Sequence, residues 1–158
     1  MLVITADQAS KLWIRSYSEG ETIFQAGVFR ILHVTNTGAA FGLFQDHSFA
    51  LTITAFAGII LILALAVFSS RRLAFLDTTP DKIALGLILG GTIGNLTDRL
   101  RFGHVTDFIS VSVWPTFNVA DSAVSTGVIL FAYLFLVSYR GRKPAQPEEK
   151  ESNTQTLP

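Results

Sequence analysis

The sequence contains no cysteine. That excludes a thiol nucleophile, disulfides and thiolate-bound metal. Formal charge is also scarce: Asp, Glu, Lys and Arg make up 15% of the 158 residues, against about 25% in globular chains. The 12 acidic and 12 basic side chains balance, and no dense basic cluster offers a footprint for nucleic acid. Residues 1–6 are apolar apart from one Thr and do not read as a signal peptide, which needs a basic region and a longer apolar stretch. The HExxH, GxSxG and GxxxxGK(S/T) motifs are missing. The 3 His are dispersed and form no zinc pattern. Gly90-Gly91-Thr92-Ile93-Gly94-Asn95 looks like a phosphate loop but lacks the lysine and lies within an apolar run. Ser10 and Lys11 are adjacent on a helix and do not face each other, which removes a Ser/Lys dyad.

Apolar side chains are plentiful: 49% of residues are hydrophobic, 13 of them Phe. Their clustering decides the class. Residues 48–70, 83–97 and 122–139 carry no formal charge. A bilayer core takes about 20 mostly apolar residues. The first run reaches that length alone, and the other two reach it with a few polar residues at their ends. The chain therefore reads as a membrane protein.

Along the chain, residues 4–17 predict a helix with Asp7 and Lys11 one turn apart. Two short strands follow, at Ile23-Phe24 and over 28–34, around a turn at Ala26-Gly27. Asn36-Thr37-Gly38-Ala39-Ala40 reads as a turn, and Asp46-His47-Ser48 as a polar break. Helices are predicted over about 49–69, 83–101 and 118–139, with 102–117 irregular or extended between Gly103 and Pro115. Gly86, Gly90 and Gly94 recur at four-residue spacing, a stripe that suits close helix packing. The segment 140–158 is polar and Pro-rich and reads as a disordered tail. The basic residues Arg71, Arg72, Lys82, Arg140, Arg142 and Lys143 belong on the cytoplasmic side. The strands and the 102–117 segment then lie outside.

Ionisable residues at membrane-helix ends are costly and usually face protein or a water-filled cavity. Here they are Asp7, Lys11, Asp98, Arg99, Asp107 and Asp121. A structural role accounts for Asp7 with Lys11, and for Asp98 with an Arg, as pairs holding helices in register. Asp107 and Asp121 have no such local basic partner. Asp121 follows Asn118 by one turn at a helix start, where the dipole favours a carboxylate. Two carboxylates brought close do not both ionise readily, so one keeps a proton while the other activates water. Spacing alone does not show that they meet. A transporter subunit relaying charge through Asp98, Arg99 and Asp121, and a non-catalytic assembly protein using the glycine stripe, are the competing readings.

Five segments, in order, resemble one family, the bacterial lipoprotein signal peptidases (signal peptidase II). They are Asp7-Gln8-Ala9-Ser10-Lys11, Asn36-Thr37-Gly38-Ala39-Ala40-Phe41, Gly94-Asn95-Leu96-Thr97-Asp98-Arg99, Gly103-His104-Val105-Thr106-Asp107-Phe108 and Phe117-Asn118-Val119-Ala120-Asp121-Ser122. The resemblance implies a membrane α-helical fold, a four-transmembrane-helix bundle with a small extracytoplasmic β-sheet cradle. It implies an aspartic endopeptidase of the bacterial inner membrane that removes the signal peptide from prolipoproteins, cutting before a diacylglyceryl-modified cysteine. Asp107 and Asp121 fall on the family's catalytic aspartates. Asp7, Lys11, Asn36, Gly38, Asn95, Arg99 and Asn118 fall on its substrate-binding or supporting residues. No metal or other cofactor is implied. The expected partners are diacylglyceryl-modified prolipoproteins and membrane lipid, not nucleic acid, with the enzyme a monomer. Residues 1–139 would be the integral-membrane peptidase domain and 140–158 a cytoplasmic tail. The family carries a longer apolar lead before its first motif, so the first helix reads as truncated, and an upstream start adding about ten apolar residues is expected from the span length.

Overall fold

The computed structural model describes residues 1–38, 48–72 and 78–141. The predicted break at 46–48 falls almost wholly outside these residues, as does the tail beyond Gly141. Four helices carry a three-stranded sheet at one end. Helix α1 spans Leu2–Ile14 and buries Asp7, Lys11 and Ile14 on one face. It ends earlier than the sequence suggests because its last turn tightens, with Ser16 and Tyr17 donating to Trp13 and Ile14 carbonyls three residues back.

Strand β1 (Thr22–Ala26) pairs antiparallel with β2 (Phe29–Asn36). Gly27, at φ 59°, opens the two-residue turn with the left-handed backbone that such hairpins need. Strand β3 (Val105–Val111) pairs antiparallel with the other edge of β2. The segment expected to be irregular or extended thus holds the third strand. It escapes the period-two pattern because Val105 through Phe108 are all buried, on both faces. Asn36, expected in a turn, ends β2 opposite Val105.

Helix α2 (Ser48–Arg72) packs on α3 (Thr79–Phe102), and α4 (Val119–Gly141) lies along α3 in the most extensive helix contact. Thr78 caps α3 by accepting from the Asp81 amide, and Gly103 ends it at φ 76°. Two glycines set the α3–α4 approach. A Cβ on Gly127 would stand 2.8 Å from the Ala84 carbonyl oxygen, and one on Gly91 would strike the Ala120 carbonyl. Gly90 and Gly94 admit α1 instead, against Val3 and Asp7. Gly86 meets nothing among the described residues, so there the four-residue stripe is not one packing face.

Among the described residues, the interior is rich in polar side chains and much of the exterior is apolar. The largest fully buried side chains are Lys11, Ile14, Asn118, Thr106, Asp7, Asp98 and Asp107, of which only Ile14 is apolar. Phe49, Ile60, Ile129 and Leu136 on α2 and α4 are exposed. Water does not favour that inversion, whereas hydrocarbon does. Among the described residues, 119–138 is long and apolar enough to cross a bilayer, while 49–64 is a shorter apolar stretch. Helix α3 has 24 residues, but Asn95, Asp98 and Arg99 break its apolar run.

Candidate active site

Asp107 is delivered by strand pairing: β3 places it opposite Val34, two residues before Asn36. The Asn36 side-chain amide donates to Asp107 Oδ2 at 2.7 Å. After β3 the chain turns through Ser112, at φ 51°, and doubles back. Phe117 then bonds to Phe108 and Ile109 through its backbone. This pins the start of α4 against β3 and brings Asn118 to Asp107.

Asn118 caps α4. Its Oδ1 accepts from the Asp121 amide at 2.9 Å, and Asp121 Oδ2 accepts from the Asn118 amide at 3.2 Å. The pair is a reciprocal capping box, which explains a carboxylate here without any chemistry. Asn118 also reaches the second acid, donating through Nδ2 to Asp107 Oδ1 at 2.7 Å. One residue thus holds both carboxylates. Asn95, on α3, donates through Nδ2 to Asp121 Oδ1 at 2.7 Å. Burial pushes the Asp107 carboxyl up to about 7, and the charge of Asp121 acts in the same direction. The Asn36 and Asn118 amides and the more distant Lys11 pull it back.

The acids open onto a cavity of about 710 Å³, also lined by Asn36, Gly38, Asn95 and Arg99. Arg99 donates to the Gly38 carbonyl at 3.4 Å, and its buried Nε has no partner among the described residues. Asp7 and Lys11 do not line the cavity. Asp7 accepts from the Ala120 amide at 3.0 Å, satisfying another free N–H of the α4 start. Lys11 pairs with Asp7 at 3.0 Å and Asp98 at 3.1 Å, and Arg15 pairs with Asp98 at 2.7 Å. The expected register-holding pairs therefore form, as one buried cluster. Sequence reasoning did not single out Thr116, Phe117, Ser122 and Ser125, which also line the cavity. Phe117 and Ser122 stand in the fifth motif block without a role of their own, Thr116 and Ser125 lie outside it, and the turn after β3 and the start of α4 bring all four there. Among the described residues, no group of three or more His, Asp or Glu is arranged to hold a metal ion.

Residues 1–137 match the peptidase A8 family, signal peptidase (SPase) II. A lipoprotein signal peptidase of Dehalococcoides mccartyi strain BAV1 is 51% identical over 136 residues, covering 85% of this chain and 84% of the relative. One from Moorella thermoacetica is 37% identical over 148 residues, covering 91% and 95%. A bacterial membrane enzyme solved by the in meso method at 2.3 Å superposes with a TM-score of 0.79 at 26% identity, covering 92% of this chain and 89% of that one. Another, at 1.9 Å, gives 0.72 at 27% identity, covering 85% and 88%. The chain belongs to the signal peptidase II family, peptidases that remove signal peptides from prolipoproteins.

Proposed function

We propose that Asp107 and Asp121 are the catalytic pair of this peptidase, and that it cuts just before a cysteine carrying diacylglycerol. The observation that carries the reading is the single Asn118 side chain and amide gripping both carboxylates at the wall of one cavity. With one proton between them, the anionic aspartate takes a proton from water as its oxygen attacks the scissile carbonyl. The protonated partner donates to the carbonyl oxygen. Collapse of the diol breaks the C–N bond, and the amide nitrogen leaves with a proton from the pair. Asn95 gives an N–H to Asp121, and Arg99 Nε, without a partner among the described residues, is the donor we assign to a substrate carbonyl.

The enzyme reads as a multi-pass protein of the cytoplasmic membrane, its sheet and acids on the extracytoplasmic side. Arg71 and Arg72 close α2, Lys82 lies in the first turn of α3 and Arg140 in the last turn of α4, at the helix ends away from the sheet. Lys11 and Arg15, which count against this orientation in the sequence, are absorbed by Asp7 and Asp98. The polar-relay reading needs charges at mid-membrane, whereas Asp98, Arg99 and Asp121 lie at the helix ends nearest the sheet. Acyl chains on the substrate cysteine would bury against the apolar exterior, contributing about 0.8 kcal/mol per CH₂. The test is cleavage by purified enzyme in detergent of one precursor, with and without its diacylglyceryl group. Cutting before the cysteine of the lipidated form alone is expected. Equal turnover of both forms would contradict the substrate assignment.

A further inference from the structure

Lys11 donates to three acceptors: Asn95 Oδ1 at 2.8 Å, Asp7 at 3.0 Å and Asp98 at 3.1 Å. The ammonium has three donors and no acceptor, so all its hydrogens are engaged. Its charge is fully buried and fixed between two fully buried acids. A donor-only group facing the Asn95 amide dictates which end of that amide it meets. The oxygen must point to Lys11, and the NH₂ must then point away, to Asp121 Oδ1 at 2.7 Å. The same oxygen accepts from Asn118 Nδ2 at 3.1 Å. That fixes the second amide too: its NH₂ serves Asp107 at 2.7 Å while its Oδ1 accepts from the Asp121 amide at 2.9 Å. With either amide reversed, a carbonyl oxygen would face a carboxylate.

We propose that Lys11 is a positioning residue for the aspartate pair, setting the direction of the Asn95 and Asn118 side-chain amides so that both carboxylates receive N–H donors. It pairs with neither carboxylate of the catalytic pair and does not itself line the cavity, touching only the back of Asn95, which does. The inference rests on the assignment of Asp107 and Asp121 as the catalytic pair. The charged groups that act on Lys11 are Asp7 on its own helix, Asp98 from α3, Asp107 from β3 and Asp121 from α4, with Arg15 paired to Asp98 and Arg99 facing the same three acids of α3, β3 and α4. Lys11 reaches the pair by two routes, its charge acting at a distance on Asp107 and the chain of amides, and the charge-balanced variant below separates them.

The test compares Lys11→Met, Lys11→Gln and the charge-balanced Lys11→Met/Asp7→Asn, with Asp107→Asn and Asp121→Asn alongside. Each is measured per folded molecule in detergent against a lipidated precursor across pH. Lys11→Met leaves two buried acids sharing one cation and is the variant most prone to misfold. The double variant keeps the charge balance, and the amide that replaces the Asp7 carboxylate still offers an oxygen to the Ala120 N–H. For the double variant, kcat should fall about tenfold or more with KM little changed, and the alkaline limb should move up by roughly half to one pH unit. Lys11→Gln, which still offers an N–H donor towards Asn95, should recover part of kcat relative to Lys11→Met. An unmoved alkaline limb, with or without loss of rate, would overturn the proposal, and so would a Gln variant no better than Met. Both results leave the pair intact if Asp107→Asn and Asp121→Asn are dead. Activity in either Asp variant instead sinks the pair assignment, and this inference with it.

Discussion

Asp107 is the residue whose surroundings oppose its own charge. Its carboxyl is displaced upward to about 7, by burial first and by Asp121 second. The folded state binds the proton more tightly than the unfolded chain, so this contribution to stability is fully present below about 4. It is lost as pH rises through about 7, where the folded-state group ionises. The midpoint of thermal unfolding in detergent should therefore fall by several degrees as pH is raised through 7, and Asp107→Asn should flatten that dependence. Asp98 behaves differently, since it is matched by Lys11, Arg15, Gln8 and the Thr106 amide. Asp98→Asn removes the anion and leaves two cations with less to hold them, a loss of about 3–5 kcal/mol for a broken buried pair. We expect a lower unfolding midpoint and lower abundance, with the rate per folded molecule near that of the wild type. Of the residues that hold the site, the motif blocks made Asn36, Asn95 and Asn118 legible in advance. Which oxygen each amide serves was not, because that depends on contacts such as Lys11 to Asn95, 84 positions apart.

At the scale of elements, two glycines that look alike in sequence differ in consequence. Gly127 faces the α3 backbone, where a Cβ would press on Ala84 O at 2.8 Å and on the Ile88 amide nitrogen at 3.0 Å. Gly86 faces open space. Gly127→Ala should destabilise by about 1–3 kcal/mol, as forced overpacking does. Gly86→Ala should be neutral or stabilising by up to about 1 kcal/mol, the usual gain in a helix interior. Unfolding midpoints of the two variants in one detergent check the contrast. The helices were readable because charge-free runs announce them, to within a few residues at most ends. Strand β3 was legible only as irregular or extended chain, because burial of Val105 through Phe108 on both faces erased the alternation that marks a half-exposed strand. Its pairing with β2 is a long-range event that local pattern does not encode. Without β3 in place, Asp107 and Asp121 remained two acids with no stated geometry.

Among the described residues, polar groups gather inside, around α1, the end of α3 and the start of α4, while many Phe, Ile and Leu side chains face outward. Lipid accommodates that arrangement because the buried charges of α1 and α3 find partners inside the protein. The acids lie at the sheet end, so the orientation of the bundle decides which compartment they serve. A reporter fused after Arg142 should be cytoplasmic, and one inserted within residues 102–106 extracytoplasmic. The reverse pattern would put the cavity on the wrong side for secreted precursors.

That Asp107 and Asp121 act as one unit is tested most directly by the cleavage rate per folded molecule of Asp107→Asn, Asp121→Asn and the double variant, with chelator present throughout. Each single variant should lose activity by at least about a thousandfold, the scale of acid–base catalysis. The double should be scarcely worse than either, as for residues that work together, and the wild type should be indifferent to the chelator. Near-normal cleavage by either single variant, or loss of wild-type activity on chelation, would contradict a metal-free aspartate pair.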